Sequence, residues 1–148
     1  MSEIMEIRHT TQIRVKYADT DKMGVVYNGN YFTYFEVGRT ELMRHCGLPY
    51  IEFEKAGYIL PLVETYAAFK IPAVYDDLLN IEARLLVEHK PLVRFDYIIT
   101  RHKGSVIEVI SFGHTVHCFV NAKNMKPVKP PKMFFEAMTD YIKRNNKK

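Results

Sequence analysis

The sequence is poor in the residues that staple a chain, hold a metal or cross a membrane. It has two cysteines in 148 residues, too few for a disulfide framework. Cys46 falls at the end of an expected helix and Cys118 in an expected strand, and both read as reduced, packed thiols. No apolar run approaches the roughly 18 residues of a membrane-crossing helix, and no basic-then-apolar leader opens the chain. A soluble cytoplasmic protein is the expectation. There is no glycine-rich phosphate loop or dinucleotide fingerprint, and no serine in a nucleophile elbow. His114 and His117 resemble a metal pair, but three apart in a strand they point to opposite faces. His9, His45, His89 and His102 have no ligand-like spacing, so no metal site is expected.

Acidic residues are scarce at the C-terminal end. From Asn121 onward, eight Lys or Arg face only Glu136 and Asp140, a local charge of +6 that leaves −2 on the remaining 120 residues. A nucleic-acid surface spreads positive charge over a folded face with aromatics between. Here Lys143 to Lys148 read as a solvated, frayed helix end, and nucleic acid is not an expected partner. The composition, 47% hydrophobic and 26% charged, is that of an ordinary globular protein. The length predicts one domain over residues 1–148. A chain this short that also holds a ligand cleft gains from pairing with copies of itself.

Periodicity gives the element order. Ile13, Val15 and Tyr17 alternate with Gln12, Arg14 and Lys16, the pattern of a half-buried strand. Asn30 to Cys46 reads as a helix about 25 Å long, N-capped by Asn28 or Asn30. Its stripe of Tyr31, Phe35, Gly38 and Leu42 is widened by Phe32, Tyr34, Val37 and Met43, so its first half is expected to be buried. Gly38 implies close approach to a sheet, and Gly47 and Pro49 stop the helix. A short helix over 49–55 follows, then strand after strand. Ile59, Val63, Ala67 and Phe69 form one apolar face. Leu79, Ile81, Ala83, Leu85 and Val87 form another, and Val93, Phe95, Tyr97 and Ile99 a third. A last long strand begins at Ile107 and Val109 and slips phase near Ser111-Phe112-Gly113, the mark of a bulge. Met133 to Lys143 reads as a short terminal helix. Consecutive strands with short turns predict an α+β protein, with an antiparallel sheet wrapped around one long helix.

The chemistry concentrates between Tyr17 and Tyr31. Asp19 and Asp21, with Gly24 behind them, lie just ahead of the apolar helix. Counted from Asp19 as a calcium loop, the fifth position would be Met23 and the twelfth Asn30, which are not calcium ligands. An Asx turn, with both carboxylates on backbone N–H groups, accounts for the same residues structurally. The functional alternative is an acid beside the positive end of a helix. Asp21 would attack a carbonyl directly or activate a water, while N–H groups near Asn28 hold the developing oxyanion. Glu36 and Glu64 are weaker candidates for a cleft, since such residues usually pair with an Arg or face solvent.

The run from Tyr17 to Arg39, including Asp19-x-Asp21, Gly24-Val25-Val26-Tyr27, Asn30-Tyr31 and Tyr34-Phe35-Glu36, resembles the 4-hydroxybenzoyl-CoA thioesterase family of hotdog-fold proteins. The likeness is strongest to the tol-pal-associated acyl-CoA thioesterase branch. The Tyr75-Asp76-Asp77 turn extends it. The resemblance implies a hotdog fold and hydrolysis of acyl-CoA thioesters to free acid and CoA, with no cofactor beyond the CoA of the substrate. It implies dimers whose sheets join edge to edge, often paired into homotetramers, with active sites at the dimer interface. It places the catalytic acid on Asp21 and the carbonyl-polarising backbone N–H on Asn28, with Val26, Tyr27 and Gly29 lining the substrate site. The CoA phosphates would meet Lys90, in the turn with His89, and Lys126 and Lys129. The branch usually carries His where this chain has Asn28. A backbone donor survives that change, whereas a side-chain role of His does not. Three other readings stay open: the same hydrolysis on an acyl carrier protein, met by Lys123 to Lys132, a non-catalytic acyl-CoA or acyl-carrier binding or scaffold protein of the same fold, and, as the weakest, nucleic-acid binding through the basic tail.

Overall fold

The architecture follows from which faces are greasy. In a computed structural model, residues 5–145 are described. Five antiparallel strands form one sheet in the order β1-β4-β5-β6-β3: β1 (Met5–Arg14), β3 (Leu62–Phe69), β4 (Leu78–Val87), β5 (Leu92–Lys103) and β6 (Val106–Cys118). The alternating residues Leu79, Ile81, Ala83, Leu85 and Val87 of β4, and Val93, Phe95, Tyr97 and Ile99 of β5, are all buried. They make the inner face. On it lies α1 (Asn30–His45), with Tyr31, Tyr34, Phe35, Leu42 and Met43 turned inward. The α1 helix lies over β1, β4 and β5, leaving the inner face of β6 and β3 less covered. A short pair, β2 (Tyr58–Ile59) with β7 (Val120–Asn121), and the helices α2 (Tyr50–Lys55) and α3 (Lys132–Asn145) close the ends. The antiparallel sheet wrapped on a long helix is the expected architecture.

Two glycines set the spacing. At Gly38 a Cβ would come 2.8 Å from Ile81 Cγ2 and 3.6 Å from Ala83 Cβ, so the bare backbone lets α1 settle onto the sheet. At Gly113 a Cβ would run into the backbone carbonyl oxygen of Tyr66 and come 2.9 Å from Phe35 Cε2. Phe35 fills that space and stacks on Tyr97, with ring centroids 4.5 Å apart. A core stack of this kind adds to the burial of both rings.

Several local expectations are corrected. Gly29 is the N-cap of α1, with no side-chain cap bond; neither Asn28 nor Asn30 fills that role, because the Asn30 side chain donates instead to the Asp19 carbonyl, 2.8 Å away. Tyr17 does not share the face of Val15. The chain turns into a 3-10 helix at Tyr17–Asp19, which leaves Tyr17 78% exposed while Val15 is fully buried. The β6 bulge sits one residue earlier than the phase slip placed it. Ile99 faces Ser111 and Thr100 faces Val109, so Ile110 is the extra residue, and Ile110 and Ser111 are both buried. The expected apolar face over 59–69 divides at Leu60-Pro61 into β2 and an edge strand. In that edge strand Leu62, Val63, Tyr66 and Phe69 are all about half exposed or more. The tail beyond Asn145 lies outside the described residues. Among the described residues no helix is long and apolar enough to cross a membrane.

One polar chain runs through the apolar interior. Tyr97 Oη meets Thr115 Oγ1 at 2.6 Å, Thr115 Oγ1 meets His117 Nε2 at 2.9 Å, and His117 Nδ1 meets the Leu60 carbonyl at 3.1 Å. A carbonyl can only accept, so Nδ1 carries the proton. Nε2 then accepts from Thr115, and Thr115 accepts from Tyr97. His117 and His114 lie on opposite faces of β6, and His114 bonds Glu64 on the outer face. Burial, and then the charge of Arg39, push His117 down to about 4. Its folded value lies below its ordinary 6.5, so as pH falls through that window the unfolded chain takes up a proton that the folded chain does not. The stability held by neutral His117 is complete above the ordinary value and is lost on acidification. Between about pH 6.5 and about pH 5, above most carboxylate titration, the urea midpoint should fall, and fall less steeply in His117→Gln.

Candidate active site

The Asp-rich segment is tied down from three sides. From the sheet, Arg101 Nη1 donates to Asp77 Oδ2 at 2.7 Å and Arg101 Nη2 to Glu108 Oε1 at 3.0 Å. Asp77 Oδ2 also accepts the Val74 N–H at 2.8 Å, which holds the 72–77 turn. Asp76, at φ 71°, supplies the left-handed residue this turn needs. That turn grips the segment: Val15 N–H donates to the Asp77 carbonyl at 2.9 Å and Val26 N–H to the Ala73 carbonyl at 2.8 Å, and Val25 bridges Val74. From the helix, the Tyr34 hydroxyl donates to Asp19 Oδ2 at 2.9 Å. Burial first, and then the Asp19 carboxylate, raise the Tyr34 phenol. The Asp19 carbonyl in turn accepts the Tyr27 N–H at 2.9 Å and the Asn30 side chain. Asp19 is therefore the knot that joins the segment to the start of α1.

Asp21 is placed differently. Its Oδ1 accepts the Met23 N–H at 2.8 Å, its backbone N–H donates to the Val25 carbonyl at 2.9 Å, and its carbonyl accepts the Gly24 N–H at 2.9 Å. Gly24, at φ 80°, allows that tight turn. The carboxylate thus has the Asx-turn bond foreseen from sequence, and it has no ion-pair partner within 4.0 Å among the described residues. It borders a crevice of about 400 Å³ shared with Tyr27, Asn28, Tyr31, Phe69 and Lys70.

The start of α1 opens on the same crevice. Asn30 N–H donates to the Tyr27 carbonyl and Tyr31 N–H to the Asn28 carbonyl. The N–H groups of Asn28 and Gly29 have no acceptor among the described residues. They are the orphan donors of a helix start, at the end where the peptide dipoles are positive. A half-buried carboxylate and Asn28, whose backbone donor is unfilled, border one hollow with Gly29 next in the chain, a combination that can take a carbonyl carbon on one side and its oxygen on the other. Val26 is 4% exposed and forms part of the crevice wall, Tyr27 stands 55% exposed at its rim, and Gly29 keeps the backbone open beside the Tyr27 ring.

The lysines expected to meet phosphates lie elsewhere. Lys90 is in the β4–β5 turn, where it pairs with Glu88 at 3.6 Å. Lys126 and Lys129 flank Pro127, which bridges Val120. All three sit near the end of the sheet where Leu92 faces Cys118 and Leu62 faces His117, whereas Phe69, at the crevice, is the other end of β3. Lys70 was not singled out in the sequence. It follows Phe69 directly, borders the crevice and lies 5.4 Å from the Phe112 ring centroid. In the sequence it is one more polar residue in an alternating strand, and nothing local marks it.

Comparison with known proteins identifies the family. A family model described as the thioesterase-like superfamily matches residues 15–138. The acyl-CoA thioesterase YbgC of Haemophilus influenzae is 31% identical over 121 residues, 81% of this chain and 86% of its own. The acyl-CoA thioesterase YbgC of Helicobacter pylori is 31% identical over 137 residues, 85% of this chain and 96% of its own. The crystal structure of DHNA-CoA thioesterase from Staphylococcus aureus superposes with a TM-score of 0.81 at 29% identity, covering 95% of this chain and 94% of its own. The 4-hydroxybenzoyl-CoA thioesterase from a Pseudomonas strain, at 22% identity and a TM-score of 0.77, shows the same fold. The chain belongs to the thioesterase-like superfamily of hotdog-fold proteins and is a thioester hydrolase.

Proposed function

We propose that the protein hydrolyses acyl-CoA thioesters to a carboxylic acid and CoA, with Asp21 as the catalytic carboxylate and the Asn28 and Gly29 N–H groups as the oxyanion site. The observation that carries this reading is that Asp21 and Asn28, whose N–H is unfilled like that of Gly29 beside it, border one crevice. Water adds its oxygen to the carbonyl carbon, the C–S bond breaks, and the sulfur leaves as thiolate and takes a proton. Asp21 acts either by removing the water proton or by attacking first to form an acyl anhydride that water then opens. Single turnover in ¹⁸O-labelled water tests for the second route, because label in the Asp21 carboxylate arises only when water opens such an anhydride at the Asp21 carboxyl carbon. A thiol-release screen over short, long and aromatic acyl-CoAs tests the activity itself. Tight binding of these thioesters with no thiol released above background would make the protein a binder instead.

The donor in this reading is backbone, so the Asn28 side chain is dispensable. Asn28→Ala should keep kcat/KM within about threefold of wild type, whereas loss of an oxyanion donor costs ~10²–10³. A hundredfold loss in Asn28→Ala would move the role to the amide side chain.

The edge strand β3 supports a two-fold dimer. It offers unpaired backbone groups together with exposed Leu62, Val63, Tyr66 and Phe69, a surface that invites strand pairing. Antiparallel pairing of two such edges sets the Leu62 end of one copy against the Phe69 end of the other. That brings the partner subunit's Lys90, Lys126 and Lys129 toward the crevice, where they would serve the CoA phosphates. Light scattering should give a dimer or a dimer of dimers, and Thr65→Pro, which removes an outward-facing strand N–H at the edge, should shift it toward monomer.

A further inference from the structure

A second hollow, of about 180 Å³, lies between α1 and the sheet. Glu36, Arg39 and Met43 of α1 form one wall, and Leu60, Phe95 and His117 face them. Leu60 and His117 belong to the β3 side of the molecule, as Phe69 does, so both hollows open on the same flank of α1. From the start of the helix at Asn30 to Arg39 is about 14 Å along the axis, at ~1.5 Å per residue.

The polar groups of this hollow are unevenly satisfied. His117 has both ring nitrogens engaged, and the Tyr97 hydroxyl proton is committed to Thr115. Neither has a donor left for a ligand. Arg39 lies against the Tyr97 hydroxyl and near His117. No carboxylate comes within 4.0 Å of its guanidinium among the described residues, even though Glu36 borders the same space. A guanidinium carries five donors in a fork that matches a carboxylate. Drawn partly out of water without a counter-charge, it is costly until an anion arrives. The neighbouring Met43, Leu60 and Phe95 are apolar. The ligand that fits is an apolar chain with an anionic end.

We propose that this hollow is an acyl subsite that selects thioesters whose acyl chain ends in a carboxylate, gripped by Arg39. The inference rests on the thioester-hydrolase reading, since it places the acyl chain along α1 from a carbonyl held at the helix start. Glu36, on the rim, opposes the incoming anion.

The test compares matched pairs: suberoyl-CoA with octanoyl-CoA, and dodecanedioyl-CoA, whose extended chain matches the distance from the helix start to Arg39, with dodecanoyl-CoA. Wild type should favour the carboxylate-bearing member by about tenfold or more in kcat/KM for at least one pair, the scale of discrimination a dedicated polar contact gives. Arg39→Gln should bring that ratio close to one, Arg39→Lys should keep part of it, and Glu36→Gln should enlarge it. A ratio near one in wild type for both pairs overturns the proposal, and so does a ratio that survives in Arg39→Gln. Calorimetric titration of the Asp21→Asn protein with the same thioesters reads the subsite without turnover. A preference in Kd that Arg39→Gln removes supports the subsite even where no thioester is hydrolysed, an outcome in which the hydrolase reading alone fails. Equal Kd values within both pairs overturn it.

Discussion

Asp21→Asn lowers kcat at least a hundredfold while leaving the protein folded. The asparagine oxygen can still accept the Met23 N–H, and the backbone bonds from Asp21 to Val25 and from Gly24 to Asp21 do not involve the side chain. Because Asp21 has no ion-pair partner among the described residues, neutralising it strands no opposite charge. What disappears is the only property chemistry needs, a carboxylate that can remove a proton or form a bond. General-base contributions of ~10²–10⁴ set the expected loss, and a nucleophile would cost at least as much. Initial rates of thiol release, with circular dichroism and a urea melt on the same sample, provide the check. A variant that keeps wild-type turnover removes Asp21 from the mechanism. Asp19→Asn is the matched control of opposite kind: it weakens the knot with Tyr34 and Lys16, so it should lower the melting temperature more than Asp21→Asn does.

Gly113→Ala destabilises the fold by about 3 kcal/mol or more, the upper range for forcing atoms into a filled core. The added methyl would meet the Tyr66 carbonyl and the Phe35 ring. The ring is wedged on Tyr97, and the carbonyl belongs to the strand paired through Tyr66–His114 and Ala67–Gly113. Neither can yield without disturbing β3 or the centre of the core. For a chain of this size that is a large part of the whole stability, typically 5–15 kcal/mol. Urea denaturation measures it. A loss under about 1 kcal/mol would show that β3 slides freely along β6. If the variant does fold, the shift of β3 carries Phe69 with it, and the crevice beside Asp21 changes shape.

These two positions show unevenly how much could be read beforehand. Asp21 was legible because its neighbours, from Gly24 to Tyr31, form a contiguous motif ahead of an apolar helix. The β4 and β5 faces were legible because alternation at period two leaves little choice. Gly113 was legible only as a break in phase. Its actual work, admitting Phe35 from 78 positions upstream and the Tyr66 carbonyl from the next strand, exists only after three elements have met. The bulge itself proved to be Ile110, where two successive residues turn inward. Tyr17 misled because the chain leaves its strand at Arg14, three residues earlier than alternation implied, once the Asp77 turn captures Val15. The bonds of Asp19 to Tyr34 and of Arg101 to Asp77 join residues far apart in sequence. No local pattern marks them, nor the place of Lys70 at the crevice.

The way the Asp21 segment is fastened also bears on how fast ligands can come and go. Its amides at Val15, Val26 and Tyr27 are all spent on the turn at Ala73–Asp77 or on Asp19, so it moves with the sheet and has little freedom to clamp down over a visitor. Traffic then passes the outward side chains of Met23 and Tyr27, whose reorientation takes pico- to nanoseconds. Turnover in such an enzyme would be insensitive to solvent viscosity, with the bond-breaking step setting the pace.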